Sequence, residues 1–241
     1  MERLGMVYNG FDFSRYLRAN PHRPIMPPTS IETEDVPGRA GTRLKKAKLG
    51  ELVIPVDVEL RAKRGDDIAE IRHKLAGALW SPVPAKLVLG DDPSRYHMAV
   101  VDGESELSTL WHTGEATINF KCPDPIAYGA ERREPFTTKA EIFAGGNWPT
   151  APIIEARPAK GSYYKVTNDD TGEFVQVNMT FTGAGDQLLV IDFEAQHCEV
   201  NGSSADPYVT YESSYFELQP GSNSLRASSG NATVSWRERW L

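Results

Sequence analysis

The sequence lacks the usual signs of a metal site, a secreted disulfide scaffold or a membrane anchor. Cysteine occurs only twice, at Cys122 and Cys198, and no CxxC pair exists, so we expect two buried reduced thiols. No apolar run approaches the length of a membrane-spanning helix, which predicts no membrane insertion. The polar amino terminus has no signal-peptide core, which predicts synthesis in a cytoplasm.

Motifs for catalysis and cofactor binding are also missing. There is no GxSxG elbow, no HExxH helix and no glycine-rich phosphate loop, and the five histidines do not fall at metal-ligand spacing. The net charge is −7, and residues 131–241 carry 9 Lys and Arg against 15 Asp and Glu. Because an acidic surface repels phosphate backbones, we expect no nucleic-acid specificity. Because the motifs named above are missing, we also expect no cofactor and no metal.

Asp192 and Glu194 are the strongest catalytic candidates. They lie two residues apart on a predicted strand and would point the same way, like the carboxylate pair of a glycosidase. The residues between and before them, Leu189, Ile191 and Phe193, would form the buried face. The acids would then occupy a wet face where nothing raises a pKa, so we predict that the protein is not an enzyme.

The residues that are abundant predict a mainly β protein. The chain has 20 Gly and 17 Pro, which favour many turns between short strands. Asn9-Gly10 predicts a tight hairpin, and Pro37-Gly38 predicts a turn between a short strand and a flexible basic segment that reaches Lys48. Residues 51–63 alternate apolar and polar side chains, as a half-buried strand does.

One segment has the periodicity of a helix. Ile68, Ile71, Leu75 and Leu79 recur at helical spacing, and Asp67 precedes them with a glutamate three residues later, which forms a capping box. We therefore predict one amphipathic helix over about residues 66–80.

The pattern divides the chain into two β-sandwich-like domains. We predict a first domain over residues 1–130, a connector over 131–147 and a second domain over 148–241, where strands recur about every ten residues. The stretch "CPDPIAYG" stops a strand at the end of the first domain, and its prolines restrict the backbone. The predicted interdomain junction comprises Cys122, Pro123, Asp124, Pro125, Tyr128 and Gly129.

Aromatic residues enrich the second domain, and they leave two interpretations open. They are Trp148, Tyr163, Tyr164, Tyr208, Tyr211, Tyr215, Trp236 and Trp240. Aromatic rings stack on sugars in many β-sandwich lectins, but they also build sandwich cores and interfaces. A carbohydrate-binding module that contributes to attachment to a host cell-surface glycan is therefore our alternative function.

Several distinctive stretches follow one another along the chain, and they are "FDFSRYL", "VPGRAG", "AGALWSPVPAKLVLGDDPSRYHMAVVDG", "GEATINFKCPDPIAYG", "GNWPTAPIIEARP" and "YFELQPGSNSLRASSGNATVSWRERWL". In this order, they resemble the distal tail proteins (Dit) of long-tailed, siphovirus-type phages. The similarity spans nearly the whole chain. "CPDPIAYG" and "LQPGSN" are its most specific pieces.

The resemblance implies a structural role in the virion. Six copies of the first domain would close into a ring, and the second domain would be a galectin-like or carbohydrate-binding-module-like β-sandwich. The ring would be a baseplate hub at the distal end of the tail that joins the tail tube to the tail-associated adhesion or lysin protein. Its partners would be the chain itself, the major tail protein and the tip protein, assembled in the host bacterial cytoplasm.

A ring of identical subunits needs a head-to-tail interface, in which one surface meets a different surface of the next copy. The candidates for these surfaces are the turn residues Pro37, Gly38 and Arg39, the nearby Arg43, and Trp80 at the helix end. For Trp80 two roles stay open, because tryptophan is enriched both in cores and among interface anchors.

Overall fold

The protein folds into two compact units, each with its own core. The computed structural model describes residues 5–61, 67–103 and 114–241. The first unit ends at Ala127, and the second runs from Tyr128 to Trp240. Strands dominate both units, which confirms the predicted mainly β class. Within the described residues, no helix is both long and apolar enough to cross a membrane.

The first unit contains a seven-stranded sheet and a separate two-stranded hairpin. Its elements are β1 (Met6–Tyr8), β2 (Phe11–Asp12), a 3-10 turn (Phe13–Arg15), β3 (Leu17–Pro21), β4 (Thr29–Asp35), β5 (Thr42–Leu49), β6 (Leu52–Leu60), α1 (Ile68–Leu79), β7 (Ala85–Leu89), β8 (His97–Val101) and β9 (Glu115–Cys122). The sheet order is β2-β1-β7-β8-β9-β6-β3, and β4 pairs with β5 alone.

The sheet of the first unit curls around its core. Apolar and polar residues alternate along β6, so that Ile54 and Val56 are fully buried. The rings of Tyr8 on β1 and Phe120 on β9 meet at 5.1 Å, although two strands separate these strands in the sheet. The buried Tyr8 hydroxyl donates to the Ala99 carbonyl at 3.2 Å, which satisfies its polar atom inside the core.

Helix α1 forms where the sequence predicts it. The Asp67 side chain accepts hydrogen bonds from the backbone N–H groups of Ala69 and Glu70 at 2.9 and 3.2 Å, as an N-cap does. Leu75 and Leu79 are buried against the sheet core, together with Ile71. Proline at 82 and 84 prevents the helix from continuing.

The second unit is a β-sandwich of a six-stranded and a four-stranded sheet. Its strands are β10 (Ala127–Phe136), β11 (Lys139–Ala144), β12 (Ile153–Arg157), β13 (Tyr164–Asn168), β14 (Phe174–Val177), β15 (Leu189–Asp192), β16 (His197–Val200), β17 (Ser203–Ser204), β18 (Gly221–Ala227) and β19 (Asn231–Trp240). The sheet orders are β10-β19-β12-β15-β16-β17 and β11-β18-β13-β14. Both sheets contribute buried side chains to one cluster, with Ile154 and Ile191 from the first and Val166 and Val175 from the second.

The predicted connector over residues 131–147 is wrong, because most of it is sheet. Strand β10 lies at the edge of the six-stranded sheet beside β19, and β11 pairs with β18. The charged residues that suggested a linker instead form ion pairs between β10 and β19. Arg132 lies 3.1 Å from Glu238, and Arg237 lies 2.9 Å from Glu131. A charged edge strand is a common way to prevent edge-to-edge aggregation.

The cap of α1 gives a test of the local folding signal. Replacing Asp67 with alanine removes the side-chain oxygen that accepts two hydrogen bonds in the first turn, and should lower the unfolding free energy of the first unit by about 1 kcal/mol. Asp67→Asn keeps an acceptor and is the matched control. Calorimetry of the full chain measures both variants, and equal stability of the alanine variant and the wild type would contradict the capping role.

Candidate subunit interface

Strands β4 and β5 form an arm that extends from the first unit. The arm comprises residues 29–49 and lies in the chain between β3 and β6, which are themselves paired in the large sheet. A hydrogen bond from the Gly50 N–H to the Pro28 carbonyl at 2.7 Å closes its base. The basic segment that the sequence predicted to be flexible is instead strand β5, because its residues pair in register with β4.

The pairing register gives the arm two different faces. Residues directly opposite each other in an antiparallel pair share a face. One face is mainly apolar and comprises Thr29, Ile31, Thr33, Leu44, Ala47 and Leu49, with the pair Asp35 and Thr42 at its end nearest the tip. The other face is charged, with Glu32 opposite Lys46 and Glu34 opposite Arg43. A bulge at this point leaves Lys45 unopposed, and its ammonium lies 3.3 Å from Glu34.

The apolar face of the arm is uncovered in the isolated chain. Ile31 is 62% exposed and Leu44 is 58% exposed, and no residue of either strand is buried. An isolated two-stranded hairpin is at best marginally stable in water, because it has no second layer on which to pack. Exposed apolar residues in a patch are typical of a surface that another protein covers.

The predicted interface residues of this segment lie on the arm. Pro37, Gly38 and Arg39 form its tip, where Gly38 adopts a φ of +79° and the Arg39 N–H donates to the Val36 carbonyl at 3.2 Å. Glycine adopts such a φ readily, because it has no Cβ to cause steric strain. Arg43 lies on the charged face. Their role in a subunit contact stays a prediction.

Trp80 is a surface residue, which excludes the core-plug interpretation. Its backbone closes α1 through a hydrogen bond to the Ala76 carbonyl at 3.1 Å, while the residue remains 72% exposed. Val83, three residues later, is 62% exposed, and the Ser81 hydroxyl fixes the turn between them by donating to the Val83 carbonyl at 2.6 Å. The first unit therefore has a second apolar surface, formed by Trp80 and Val83.

The predicted junction residues span the point where the chain passes from one unit to the other. Cys122 is buried at the end of β9, and the Asp124 carboxylate accepts the Ile126 N–H at 3.1 Å between Pro123 and Pro125. Burial raises the pKa of the Cys122 thiol to about 12.

The remaining junction residues, Tyr128 and Gly129, belong to β10 of the second unit. Gly129 allows the close approach of β19, because a Cβ at this position would lie 3.1 Å from the Glu238 Cβ. Their function as a stiff junction stays a prediction.

Asp192 and Glu194 do not form the arrangement that the sequence suggested. Strand β15 ends at Asp192. The Asp192 carboxylate accepts hydrogen bonds from the backbone N–H groups of Glu194 and Ala195, both at 2.9 Å. The first acid thus stabilises the turn that contains the second, instead of facing a substrate beside it. Phe193 between them is buried, as predicted.

The possible metal ligands and the histidines of the described residues do not form a reactive site. Among these residues, no three His, Cys, Asp or Glu side chains lie together as metal ligands. His97 is buried beside Arg23. Its burial is the main reason that the pKa of His97 is lowered to about 4, and the positive charge of Arg23 lowers it further. His112 lies outside the described residues.

The aromatic residues of the second unit divide between core and surface. Tyr164 and Trp236 are buried in its core, whereas Tyr163, Tyr208 and Tyr211 are exposed. The core residues cannot stack on a sugar, because they are not accessible.

Two family models match the chain, one in each unit. A model described as a phage tail protein RIFT-related domain matches residues 11–122, and a siphovirus-type tail component, C-terminal domain, matches residues 145–240. The distal tail protein of Bacillus phage SPP1 is 26% identical over 161 residues. That alignment covers 64% of this chain and 62% of the length of the relative.

Solved structures share the fold. The crystal structure of SPP1 Dit, described as a paradigm of hub adsorption apparatus in phages that infect Gram-positive bacteria, matches with a TM-score of 0.85 and 19% identity over 100% of both chains. A chain of the phage P2 baseplate in its activated conformation with Ca matches with a TM-score of 0.52 and 10% identity, over 99% of this chain and 98% of that one.

The fold and the matched domains define a phage tail component. Each unit of the chain thus matches a domain of siphovirus-type tail proteins, and the curated relative is a distal tail protein, in agreement with the sequence resemblance. These relatives are virion tail and baseplate proteins, and none of their descriptions is of a carbohydrate-binding module. The carbohydrate-binding alternative is therefore not favoured.

The exposure of Trp80 predicts a contrast with its neighbour. Trp80→Ser should change the unfolding free energy of the first unit by less than about 0.5 kcal/mol, because the ring is mostly in solvent. Leu79→Ala, one residue earlier, should cost about 2–5 kcal/mol because Leu79 is buried. Urea unfolding of both variants measures the difference, and a large loss in the tryptophan variant would contradict a surface role.

The two cysteines predict a simple thiol titration. Cys122 and Cys198 are free and fully buried, and burial raises the pKa of both thiols. The native protein should therefore not react with Ellman's reagent within minutes, whereas the denatured chain should release two equivalents. Rapid reaction of the native protein would mean that at least one thiol is accessible.

Proposed function

We propose that this chain is a structural hub of the phage tail tip, and that six copies close into a ring. The observation that carries the ring is the arm, which exposes an apolar face and two unpaired strand edges in the isolated chain. Similarity to the distal tail protein of Bacillus phage SPP1 in sequence and fold supports the tail-tip role. The ring lies at the distal end of the tail and is assembled in the host bacterial cytoplasm.

The proposed partners follow from a position between tube and tip. One side of the ring meets the major tail protein, and the other meets the tail-associated adhesion or lysin protein. The surface formed by Trp80 and Val83 is a candidate for a contact with the next copy, since exposed tryptophan is common among interface anchors. Residues 122–129 hold the second unit to the ring subunit through two prolines with restricted backbone.

The same proposal assigns no reaction to the protein. Asp192 and Glu194 most resemble a catalytic pair, but Asp192 has a structural role, because it accepts hydrogen bonds from two backbone N–H groups of the following turn. A glycosidase needs two carboxyl groups that face the scissile bond from opposite sides, whereas the Asp192 carboxylate is engaged by the backbone of the turn that holds Glu194. The hub therefore acts by connecting other proteins.

Measurement of mass tests the ring directly. Light scattering of the purified chain, alone and with the major tail protein, should give a species of six times the 26.7 kDa chain mass, and negative-stain images should have a central hole. A chain that remains monomeric under both conditions would contradict the proposed ring.

Arg39 at the tip of the arm gives a point test of the interface. Arg39→Glu should weaken ring assembly without unfolding the chain, because the residue is exposed and its side chain supports no core contact. Arg39→Lys preserves the charge and is the control. Light scattering compares the ring fraction of the two variants at equal concentration, and equal fractions would remove Arg39 from the interface.

A further inference from the structure

The two strands of the arm carry opposite charge. Strand β4 has three acids and no base, whereas β5 has four bases and no acid. These residues are Glu32, Glu34 and Asp35 on β4, and Arg43, Lys45, Lys46 and Lys48 on β5. The arm is therefore acidic along one edge and basic along the other.

Both of these edges are open. Within the described residues, the sheet that contains β4 and β5 has two strands, so no described strand lies beside the outer side of either one. Such an edge presents unpaired backbone N–H and C=O groups, which can accept a further strand. Unlike the edge strand β10, whose charges pair with the adjacent β19, the arm combines open edges with an uncovered apolar face.

We propose that the acidic β4 of one copy pairs with the basic β5 of the next copy, so that the arms of the ring form one continuous antiparallel sheet. This inference rests on the proposed ring and names the contact that closes it. The occupant of each arm edge is a second copy of the same chain.

Charge selects this pairing over the two alternatives. When β4 meets β4, Glu32 and Glu34 face like charges, and when β5 meets β5, Lys46 and Lys48 do the same. Like charges on adjacent strands are unfavourable, and opposite charges are favourable. Only the contact of β4 with β5 is attractive, and it joins different surfaces of identical subunits, as a ring requires.

Ion pairing within a single arm does not replace this contact. Glu34 already meets Lys45 at 3.3 Å, and Glu32 faces Lys46 in register. These interactions leave the strand edges and the apolar residues Ile31 and Leu44 in solvent. Addition of neighbouring strands pairs the edges and aligns the apolar faces into one surface.

Two complementary variants test the pairing between copies. The acid-arm variant has glutamate at three β5 positions, and the base-arm variant has lysine at three β4 positions. The changes are Arg43→Glu, Lys46→Glu and Lys48→Glu in the first, and Glu32→Lys, Glu34→Lys and Asp35→Lys in the second. Each variant alone brings like charges together at every contact, and should associate at least about tenfold more weakly than the wild type.

An equimolar mixture of the two variants is the decisive sample. Acid arms and base arms can alternate around a six-membered ring, so that every contact between copies is again attractive. The mixture should recover the ring in light scattering, although the repulsion within each arm is unchanged. Recovery should decrease as salt is raised from 50 to 500 mM, because screening weakens exposed charge pairs.

The outcomes separate this inference from the proposed function. A wild-type ring with a mixture that stays dissociated would overturn the β4–β5 pairing and leave the ring intact. Absence of association in the wild type and in the mixture would overturn both. The control variant Arg72→Glu with Lys160→Glu adds negative charge at residues outside the arm, and loss of its ring would attribute the effect to net charge instead.

Discussion

The arm cannot bury its own apolar face, and this constraint determines how the first unit must be used. A two-stranded hairpin has no second layer, so Ile31 and Leu44 stay in solvent unless another chain covers them. The large sheet offers a contrast, since it curls until Tyr8 meets Phe120 and closes its core without a partner. The first unit therefore has a buried core of its own and carries one hairpin whose apolar face is uncovered in the isolated chain.

The second unit protects its open strand edge with charged residues. Its edge strand β10 is rich in charged residues, and Arg132 and Arg237 pair with acids across the β10 and β19 strands. Such an edge discourages the addition of a further strand, and its sandwich core is already complete. The arm, in contrast, has open strand edges beside an uncovered apolar face, and these edges are suited to pairing between copies.

The sequence predicted the elements whose signals are local. The capping box located α1, and Asn9-Gly10 located a hairpin in which both residues adopt positive φ. The prediction failed at β5 and β10, where lysines, arginines and glutamates imitate a solvated loop. Charged strands lack the apolar alternation that marks a strand, and the partner of β10 also lies far along the chain, as Glu238 does for Arg132. The two faces of the arm were not predicted either, because they follow from a bulged pairing register between β4 and β5.

Charge and apolar area have different roles in the proposed contact between arms. Exposed ion pairs contribute little free energy, so the acids and bases of the arm are too weak to hold a ring by themselves. They are well suited to choose orientation, because like-charge contacts penalise the wrong edge. Backbone hydrogen bonds along the edges and the alignment of Ile31 and Leu44 supply the stabilisation. A hub built in this way assembles in one direction only, and its free subunits do not aggregate through identical edges.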